Sequence, residues 1–238
     1  MNLTGFPDFA DYTADGAYLL DARPYEAVLR RLHGMTTPSV MHLLNQACRR
    51  LEPGEIYLEV GCYRGSTLIG ALLDNQAWAL AIDDRSNSSH DGLDNASEFW
   101  RNVGRAGVVG RVIGVVRANV HDVFSGELLA ADVETAPYGN VETQTLDAIP
   151  PVGVLMLDGN HADAGETLRS LRECIPYLAP RAVIVMDDAN MPKIHEAAHA
   201  FVESDARASL LFDRRTPGHQ HPSWWNGTIV IGWEAHVD

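Results

Sequence analysis

Short apolar runs alternate with longer segments of helical periodicity along this chain of 238 residues. The apolar runs predict strands at 56–60, 78–82, 111–117, 152–157 and 182–186. Apolar residues at helical spacing predict helices at 25–32, 38–51, 66–73, 99–106, 164–178 and 194–202. Strands that are apolar on both faces and are joined through helices are typical of an α/β fold with a Rossmann-like, doubly wound and mostly parallel sheet.

Three parts of the chain depart from this alternation. Segments 210–212 and 228–233 have no long helix between them, which predicts an antiparallel strand at the C-terminal edge of the sheet. The segment 126–151 is polar and irregular, and it predicts a helix plus a loop. Residues 1–36 are predicted to form an N-terminal extension or lid, so the α/β domain is expected to span 37–238.

Acidic residues fall at the ends of four predicted strands. They are Glu59, Asp83, Asp158, Asp187 and Asp188. Ligands of doubly wound sheets bind outside the carboxyl ends of the strands. We therefore expect these five side chains to line one binding rim.

The segment 56–67 joins the first predicted strand to its helix through two glycines four residues apart, Gly61 and Gly65. Glycine permits a tight turn and the close approach of backbone to a bound nucleoside. A dinucleotide fingerprint needs a third glycine in the order G-x-G-x-x-G, and position 63 is tyrosine. The turn therefore favours a nucleoside ligand over a dinucleotide, and an ordinary turn between a strand and a helix is the alternative.

Asp158 and the pair Asp187-Asp188 each follow an apolar strand, so neighbouring strands would bring three carboxylates into one small volume. Such charges repel by several kcal/mol at an effective dielectric constant of about 20 unless a cation lies among them. Oxygen ligands with no cysteine nearby favour Mg²⁺, Ca²⁺ or Mn²⁺ over zinc. The alternative is that these aspartates cap the following helices, which explains at most two of the three.

His161 lies three residues after Asp158. A histidine beside a metal cluster is a candidate general base, because its ordinary pKa lies near neutrality. The alternative is a surface residue or one that makes an ordinary polar contact.

The chain carries a formal net charge of −14 and shows no basic stripe. Nucleic acid and an anionic membrane surface are therefore disfavoured as partners. The three cysteines have no paired spacing, so we expect reduced thiols. The sequence shows no signal peptide and no apolar run of membrane-spanning length, which predicts a soluble, cytoplasmic protein.

Taken together, these residues resemble the class I S-adenosylmethionine (SAM)-dependent methyltransferases, and within them the macrocin-type sugar O-methyltransferases and the metal-dependent catechol-type enzymes. The resemblance covers residues 33–233 and rests on motifs whose order and spacing are more specific than any one alone. They are GMTT at 34–37, LEVGCYRGST at 58–67, ID at 82–83, LDGNH at 157–161, VMDDA at 185–189 and WWNG at 224–227. The cofactor of this family carries no pyrophosphate to cradle.

By this resemblance, 37–238 would be a SAM-binding methyltransferase domain. The implied cofactor-binding residues are Glu59, Gly61, Tyr63, Gly65, Ser66, Asp83, Asn119, Val120 and Asp158. Within this set, the 61–65 turn would pass under the methionine portion of SAM, and Glu59 would lie near its amino group. Asp83 would accept hydrogen bonds from the ribose hydroxyls, and the residues from Asn119 to His121 would border the adenine. Asp158, Asp187 and Asp188 match the divalent-metal triad of the family, which implies Mg²⁺ or another divalent cation.

One position departs from the family pattern. Many relatives carry a second acid two residues after the first metal aspartate, and in some it is the proposed base. Here that residue is Asn160, which cannot take up a proton at working pH. His161 becomes the candidate base by proximity, and Asp158 and His161 together form the predicted catalytic group. The segment 219–225 would cover the acceptor, or it is a hairpin loop with buried tryptophans.

The predicted function is SAM-dependent, divalent-metal-dependent O-methylation of a small-molecule hydroxyl on a sugar or other natural product. Metal-independent N- or C-methylation is the main alternative, and an NAD(P)-dependent reductase and a non-catalytic scaffold are two others. The predicted partner is the small-molecule acceptor, with neither nucleic acid nor membrane. The N-terminal extension could mediate the pairing of two copies, so a homo-oligomer is an open alternative.

Overall fold

The structure is a computed structural model that describes residues 22–32, 34–86, 91–126, 133–135, 143–144, 148–159 and 163–236. The strands among these residues are β1 (Ile56–Val60), β2 (Ala79–Ile82), β3 (Val112–Val116), β4 (Val133–Glu134), β5 (Thr143–Gln144), β6 (Val152–Leu157), β7 (Leu178–Asp187), β8 (Ala208–Arg214) and β9 (Thr228–Glu234). The α-helices are α1 (Arg23–Leu29), α2 (Pro38–Cys48), α3 (Ser66–Leu72), α4 (Asn95–Arg105), α5 (Val120–Phe124), α6 (Ala164–Glu173) and α7 (Pro192–Ser204). All of these helices are too short or too polar to cross a membrane.

The nine described strands form one sheet in the order β5-β4-β3-β2-β1-β6-β7-β9-β8. Five neighbouring strands, from β3 through β2, β1 and β6 to β7, are parallel. The strand β9 is antiparallel to both β7 and β8, so the reversed strand is the penultimate one and β8 forms the edge. The structure therefore confirms the Rossmann-like, mostly parallel sheet.

Three segments differ from the sequence-based prediction, and the first is the short helix α5, which was not predicted. The described residues of 126–151 contain the two short strands β4 and β5 where a helix plus a loop was predicted. Strands of two residues are too short to produce a hydrophobic period. The predicted helix 164–178 ends at Glu173, and β7 already begins at Leu178 and includes Pro180. The pairing of β6 with β7 shifts register in this stretch, and such irregular pairing tolerates proline in a strand.

Helices cover the sheet on both faces because each central strand is apolar on both sides. One buried cluster contains Tyr57 of β1 and residues of α2, α3 and α4, and the other contains Leu58 of β1 and residues of α5, α6 and α7. Alternate residues of a strand point to opposite faces, so β1 contributes to both clusters. Residues 1–21 of the predicted N-terminal extension lie outside the described residues, and Tyr25 of α1 packs edge-on against His42 of α2.

The contact between α2 and α3 depends on a small residue and a buried amide. A Cβ atom added at Gly70 would lie 2.5 Å from Cβ of Met41, so the two helices approach as closely as glycine permits. Asn45 is fully buried and its Nδ2 donates to the carbonyl oxygens of Gly70 and Leu73 at 3.0 and 2.7 Å. These bonds satisfy acceptors at the end of α3 that the helix itself leaves open. Together the two features fix the helix that follows the glycine turn.

We expect Gly70→Ala to lower the free energy of unfolding by about 1–3 kcal/mol, because the added methyl group overpacks the helix contact. The matched control is Gly104→Ala in α4, where an added Cβ meets nothing within 4 Å. That change should raise the free energy of unfolding by about 0.5–1 kcal/mol through helix propensity. Urea denaturation of both variants measures the difference. Equal effects of the two substitutions would contradict the close helix contact.

Candidate functional site

The sheet hydrogen bonds continue past the ends of three strands and align the residues that follow. The amide of Asp158 donates to the carbonyl of Val60 at 2.9 Å, and the amide of Gly61 donates to the carbonyl of Ile82 at 2.9 Å. The amide of Asp83 donates in turn to the carbonyl of Val116 at 3.0 Å. The residues after β6, β1 and β2 therefore stand side by side on one rim of the sheet, and two of the five predicted acids, Asp158 and Asp83, are among them.

A cavity of about 480 Å³ opens at this rim. Its lining includes six of the predicted cofactor-binding residues, and these are Gly61, Tyr63, Asp83, Asn119, Val120 and Asp158. Asp188 and Met35 also line it. Asn119 stands at the start of α5, where its side-chain oxygen accepts from the amide of His121 at 2.9 Å. The structure thus brings together most of the predicted set around a volume suited to a small ligand.

The glycines of the turn are required by neighbouring protein atoms. Gly61 and Gly65 both have φ of +82°. A Cβ at Gly61 would lie less than 3.0 Å from the carbonyl oxygen of Asp158, and a Cβ at Gly65 would lie 2.9 Å from the ring of Phe99. Gly65 and Ser66 begin α3 and are not part of the cavity lining. The turn therefore lets the residues that follow β1 pass close to those that follow β6, and it exposes Tyr63 to the cavity.

Asp83 is held by the backbone on both of its carboxylate oxygens. Oδ2 accepts from the amide of Tyr63 at 2.9 Å, and Oδ1 accepts from the amide of Arg85 at 2.8 Å. The guanidinium of Arg85 is almost fully buried and lies 4.0 Å from Asp83 Oδ2 and 3.1 Å from Glu134 Oε2. Each carboxylate oxygen can accept a further bond, so Asp83 is oriented yet still able to bind a ligand. Arg85 was not predicted as a site residue, since its only signal in the sequence is its place directly after the strand-end acids.

Glu59 lies beneath the glycine turn and is not part of the cavity lining. It is fully buried, Tyr57 Oη donates to its Oε2 at 2.5 Å, and Thr67 Oγ1 donates to its Oε1 at 2.6 Å. Burial raises the pKa of Glu59 to about 7, although the two hydroxyls act in the opposite direction. In this arrangement Glu59 links β1 to α3.

Asp158, Asp187 and Asp188 lie at the adjoining ends of β6 and β7. Burial raises the pKa of Asp158 well above its usual range, and the charges of Asp188, Glu59 and Asp83 add to the effect. Burial also raises the pKa of Asp187, with further contributions from Asp158 and Asp188. The residue Asp187 is 2 % exposed, and its Oδ1 is buried without a hydrogen-bond partner. A cation at this place would give Asp187 Oδ1 a partner and would offset the repulsion among the carboxylates.

Asp188 is oriented by a residue of the loop between β8 and β9. It has φ of +61°, and its Oδ1 accepts from Asn226 Nδ2 at 2.7 Å. Among the described residues, three ligand atoms come within 4.8 Å of one another at His195, His199 and Asp213, and the three strand-end acids do not reach that closeness. Asn160 and the predicted base His161 lie outside the described residues.

The segment 219–225 follows the alternative prediction in part. Trp224 is 1 % exposed and packs against Phe212, with ring centroids 5.0 Å apart. The carbonyl of Ser223 accepts from Thr37 Oγ1 at 2.7 Å, which ties the segment to the start of α2. His221 and Trp225 line a second hollow of about 430 Å³ together with residues of α1. Whether this segment covers an acceptor stays a prediction.

Comparison with known proteins matches residues 58–189, more than half of the chain, to the family described as "Methyltransferase domain". No curated protein matches the chain. An O-methyltransferase from Bacillus cereus in complex with SAH has a TM-score of 0.59 at 15% identity, covering 94% of this chain and 97% of that one. The O-methyltransferase TomG from Streptomyces achromogenes, involved in tomaymycin synthesis and solved with SAM, has a TM-score of 0.57 at 14% identity, covering 98% of this chain and 99% of that one. At these identities the likeness is one of fold.

The raised pKa of Glu59 predicts a pH dependence of stability. Its folded pKa of about 7 exceeds its ordinary value of 4.5, so the folded chain binds this proton more tightly than the unfolded chain. The contribution is complete below about pH 4.5 and is lost as the pH rises through 7, by roughly 3 kcal/mol. We expect Glu59→Gln to remove this slope, so that the variant gains stability relative to the parent between pH 5 and pH 8.

Urea denaturation at several pH values measures this difference. Glu52→Gln, at an exposed glutamate before β1, is the matched control and should parallel the parent. Parallel curves for the parent and Glu59→Gln would show that Glu59 does not titrate as the structure indicates.

Proposed function

Since this chain belongs to the methyltransferase-domain family and is a SAM-dependent methyltransferase, we propose that it catalyses divalent-metal-dependent O-methylation of a small-molecule hydroxyl. The acceptor class we propose is a sugar or another natural product. The observation that carries the metal dependence is Asp187, whose buried Oδ1 has no hydrogen-bond partner beside two further carboxylates. Removing a carboxylate charge from water is costly, and a bound cation would offset that cost and the repulsion among the three acids.

In this proposal SAM occupies the rim cavity of about 480 Å³. Asp83 binds the ribose hydroxyls, because the amides of Tyr63 and Arg85 already fix the direction of its carboxylate. Asn119 and Val120, at the first turn of α5, border the adenine from the same cavity. The methionine portion lies along the turn at Gly61, next to Asp158.

Asp158, Asp187 and Asp188 would hold the divalent ion. All three donors are carboxylates, and an all-oxygen ligand set suits Mg²⁺, Mn²⁺ or Ca²⁺. When bound, such an ion lowers the pKa of a coordinated hydroxyl and positions it for attack. Asp158 lines the cofactor cavity as well, so the acceptor would be held next to the methyl group.

The residues of the chain then have to position the acceptor hydroxyl and to accept its proton. Methyl transfer from a sulfonium proceeds in line, so its rate depends on the alignment of nucleophile, methyl carbon and sulfur. We assign the proton from the acceptor hydroxyl to His161, which follows Asp158 by three residues. Asn160 cannot take that role, because a carboxamide does not bind a proton at neutral pH.

Metal-independent methylation of nitrogen or carbon is the second candidate. It is favoured by the hydrogen bond that Asp188 already accepts from Asn226 and by the wider separation of the three acids. Hydroxyl acceptors are supported by the two solved structures of similar fold, whose proteins are named as O-methyltransferases. The two candidates differ in their response to metal.

We expect Asp83→Ala to weaken SAM binding by about tenfold or more, because the carboxylate loses its bonds to the ribose. Asp74→Asn is the matched control, since Asp74 follows the far end of α3 and has φ of +48°, which asparagine tolerates. Isothermal titration with SAM measures both affinities. Unchanged binding by Asp83→Ala would remove Asp83 from the cofactor site.

We expect Asp187→Asn to weaken Mn²⁺ binding by at least about tenfold while SAM affinity stays close to that of the parent. Mn²⁺ serves as the probe because its binding is followed directly by electron paramagnetic resonance. Loss of both affinities would indicate disruption of the rim as a whole. Retained Mn²⁺ binding would favour the metal-independent candidate.

Turnover is tested with a matched pair of acceptors, catechol and 1,2-diaminobenzene, by measuring the SAH that forms. The proposal expects SAH with the hydroxyl acceptor, a fall of at least about tenfold after EDTA treatment, and recovery with Mg²⁺. SAH formation that EDTA leaves unchanged, or formation with the diamine alone, would contradict it.

A further inference from the structure

A second group of potential metal ligands lies on α7 and β8 and includes none of the three acids. His195 and His199 are four residues apart on α7, so they project from the same side of the helix. Asp213 comes from β8, a different element of the fold. The fold therefore assembles this group from two elements, and the His-x-x-x-His spacing contributes two of the three ligands.

The three side chains converge on one point. Nε2 of His195 lies 2.9 Å from Asp213 Oδ2, and Nε2 of His199 lies 3.0 Å from the same oxygen. The two imidazole rings are 4.3 Å apart between centroids. Metal–ligand bonds of about 2.0–2.2 Å place neighbouring ligand atoms roughly 3 Å apart, so small side-chain rotations would admit an ion.

We propose that His195, His199 and Asp213 form a binding site for a transition-metal ion, with Zn²⁺ as the reference ligand. Two imidazole nitrogens and one carboxylate oxygen favour Zn²⁺, Ni²⁺, Co²⁺ or Cu²⁺ over Mg²⁺ and Ca²⁺. The side chains are 27%, 35% and 25% exposed, so an ion can enter and water can complete its coordination. This donor set differs from the all-oxygen set of the strand-end acids, so the two places select different metals.

The location gives the site a structural consequence. The helix α7 starts directly after the turn that carries Asp188, and the amide of Met191 donates to the carbonyl of Asp188 at 2.8 Å. Asp213 pairs with Ile229 of β9, which pairs in turn with Met186 of β7. An ion at this site would clamp the first turns of α7 to β8, and so would fasten the outer side of the rim.

The experiment uses the full chain without a histidine tag, stripped with EDTA and titrated with Zn²⁺ in excess Mg²⁺. We expect one equivalent of Zn²⁺ to bind and to raise the melting temperature. His199→Gln and Asp213→Asn should each weaken Zn²⁺ binding by about tenfold or more. Glu196→Gln is the matched control, because it removes one exposed negative charge from the same helix without touching the group.

Asp187→Asn separates this inference from the proposed function, because that variant should keep its Zn²⁺ site even if it loses Mn²⁺ binding. Co²⁺ added to the parent chain gives a readout that needs no variant to fold. An absorption spectrum altered by nitrogen ligands supports the site. An unaltered aqueous Co²⁺ spectrum, or Zn²⁺ affinity that survives His199→Gln in a folded variant, would overturn it.

Discussion

The candidate site depends on the hydrogen-bond ladder that extends one residue beyond the ends of β6, β1 and β2. It fixes the relative heights of Asp158, Gly61 and Asp83 through the backbone alone. A residue with a side chain could not stand at position 61, because its Cβ would collide with the carbonyl of Asp158. The place predicted to bind the cofactor and the place predicted to bind the metal are therefore neighbours as a direct consequence of strand register.

The two halves of the rim differ in how their negative charge is balanced. Near Asp83 the chain supplies a buried guanidinium, Arg85, whose side chain also meets Glu134. Around Asp158 and Asp187, the charges of described residues that raise the pKa values come from carboxylates. Among the described residues, one half of the rim thus places a guanidinium beside its acids, and the other half places carboxylates that raise one another's pKa. This asymmetry is why a divalent cation is proposed for one half only.

The sequence was sufficient for the order of the five central parallel strands and for the strand-end acids, because long apolar strands and their carboxyl ends leave a clear pattern. It favoured a ligand as the reason for the glycines, with an ordinary turn between strand and helix as the alternative, and the structure shows that Asp158 and Phe99 also leave no room for a Cβ atom there. It placed Glu59 at the cofactor, and the structure shows its oxygens bonded to Tyr57 and Thr67. Contacts of this kind join residues from different elements, so no local pattern encodes them. The short strands β4 and β5 were missed for a different reason, since two residues carry no period.

The WWNG motif near the C-terminus becomes intelligible only through its distant contacts. Trp224 anchors the segment in the core against Phe212, which fixes the position of the residues that follow. Asn226 then donates a hydrogen bond to Asp188. Gly227 has φ of +89° and lies against Asn190, since a Cβ added at Gly227 would lie 3.0 Å from the side-chain oxygen of Asn190.

Asn190 binds the same loop through Thr216. Its Nδ2 donates to Thr216 Oγ1 at 2.8 Å, and its Oδ1 accepts from the Thr216 amide at 2.8 Å. The loop between β8 and β9 is thereby bonded to the turn that carries Asp188. The direction of the Asp188 carboxylate is set by Asn226, almost forty positions later in the chain. Any role of Asp188 at the rim therefore depends on the conformation of the loop between β8 and β9. A ligand that bound Asp188 would have to compete with Asn226 or share the carboxylate with it, which makes Asn226 part of the energetics of the metal half.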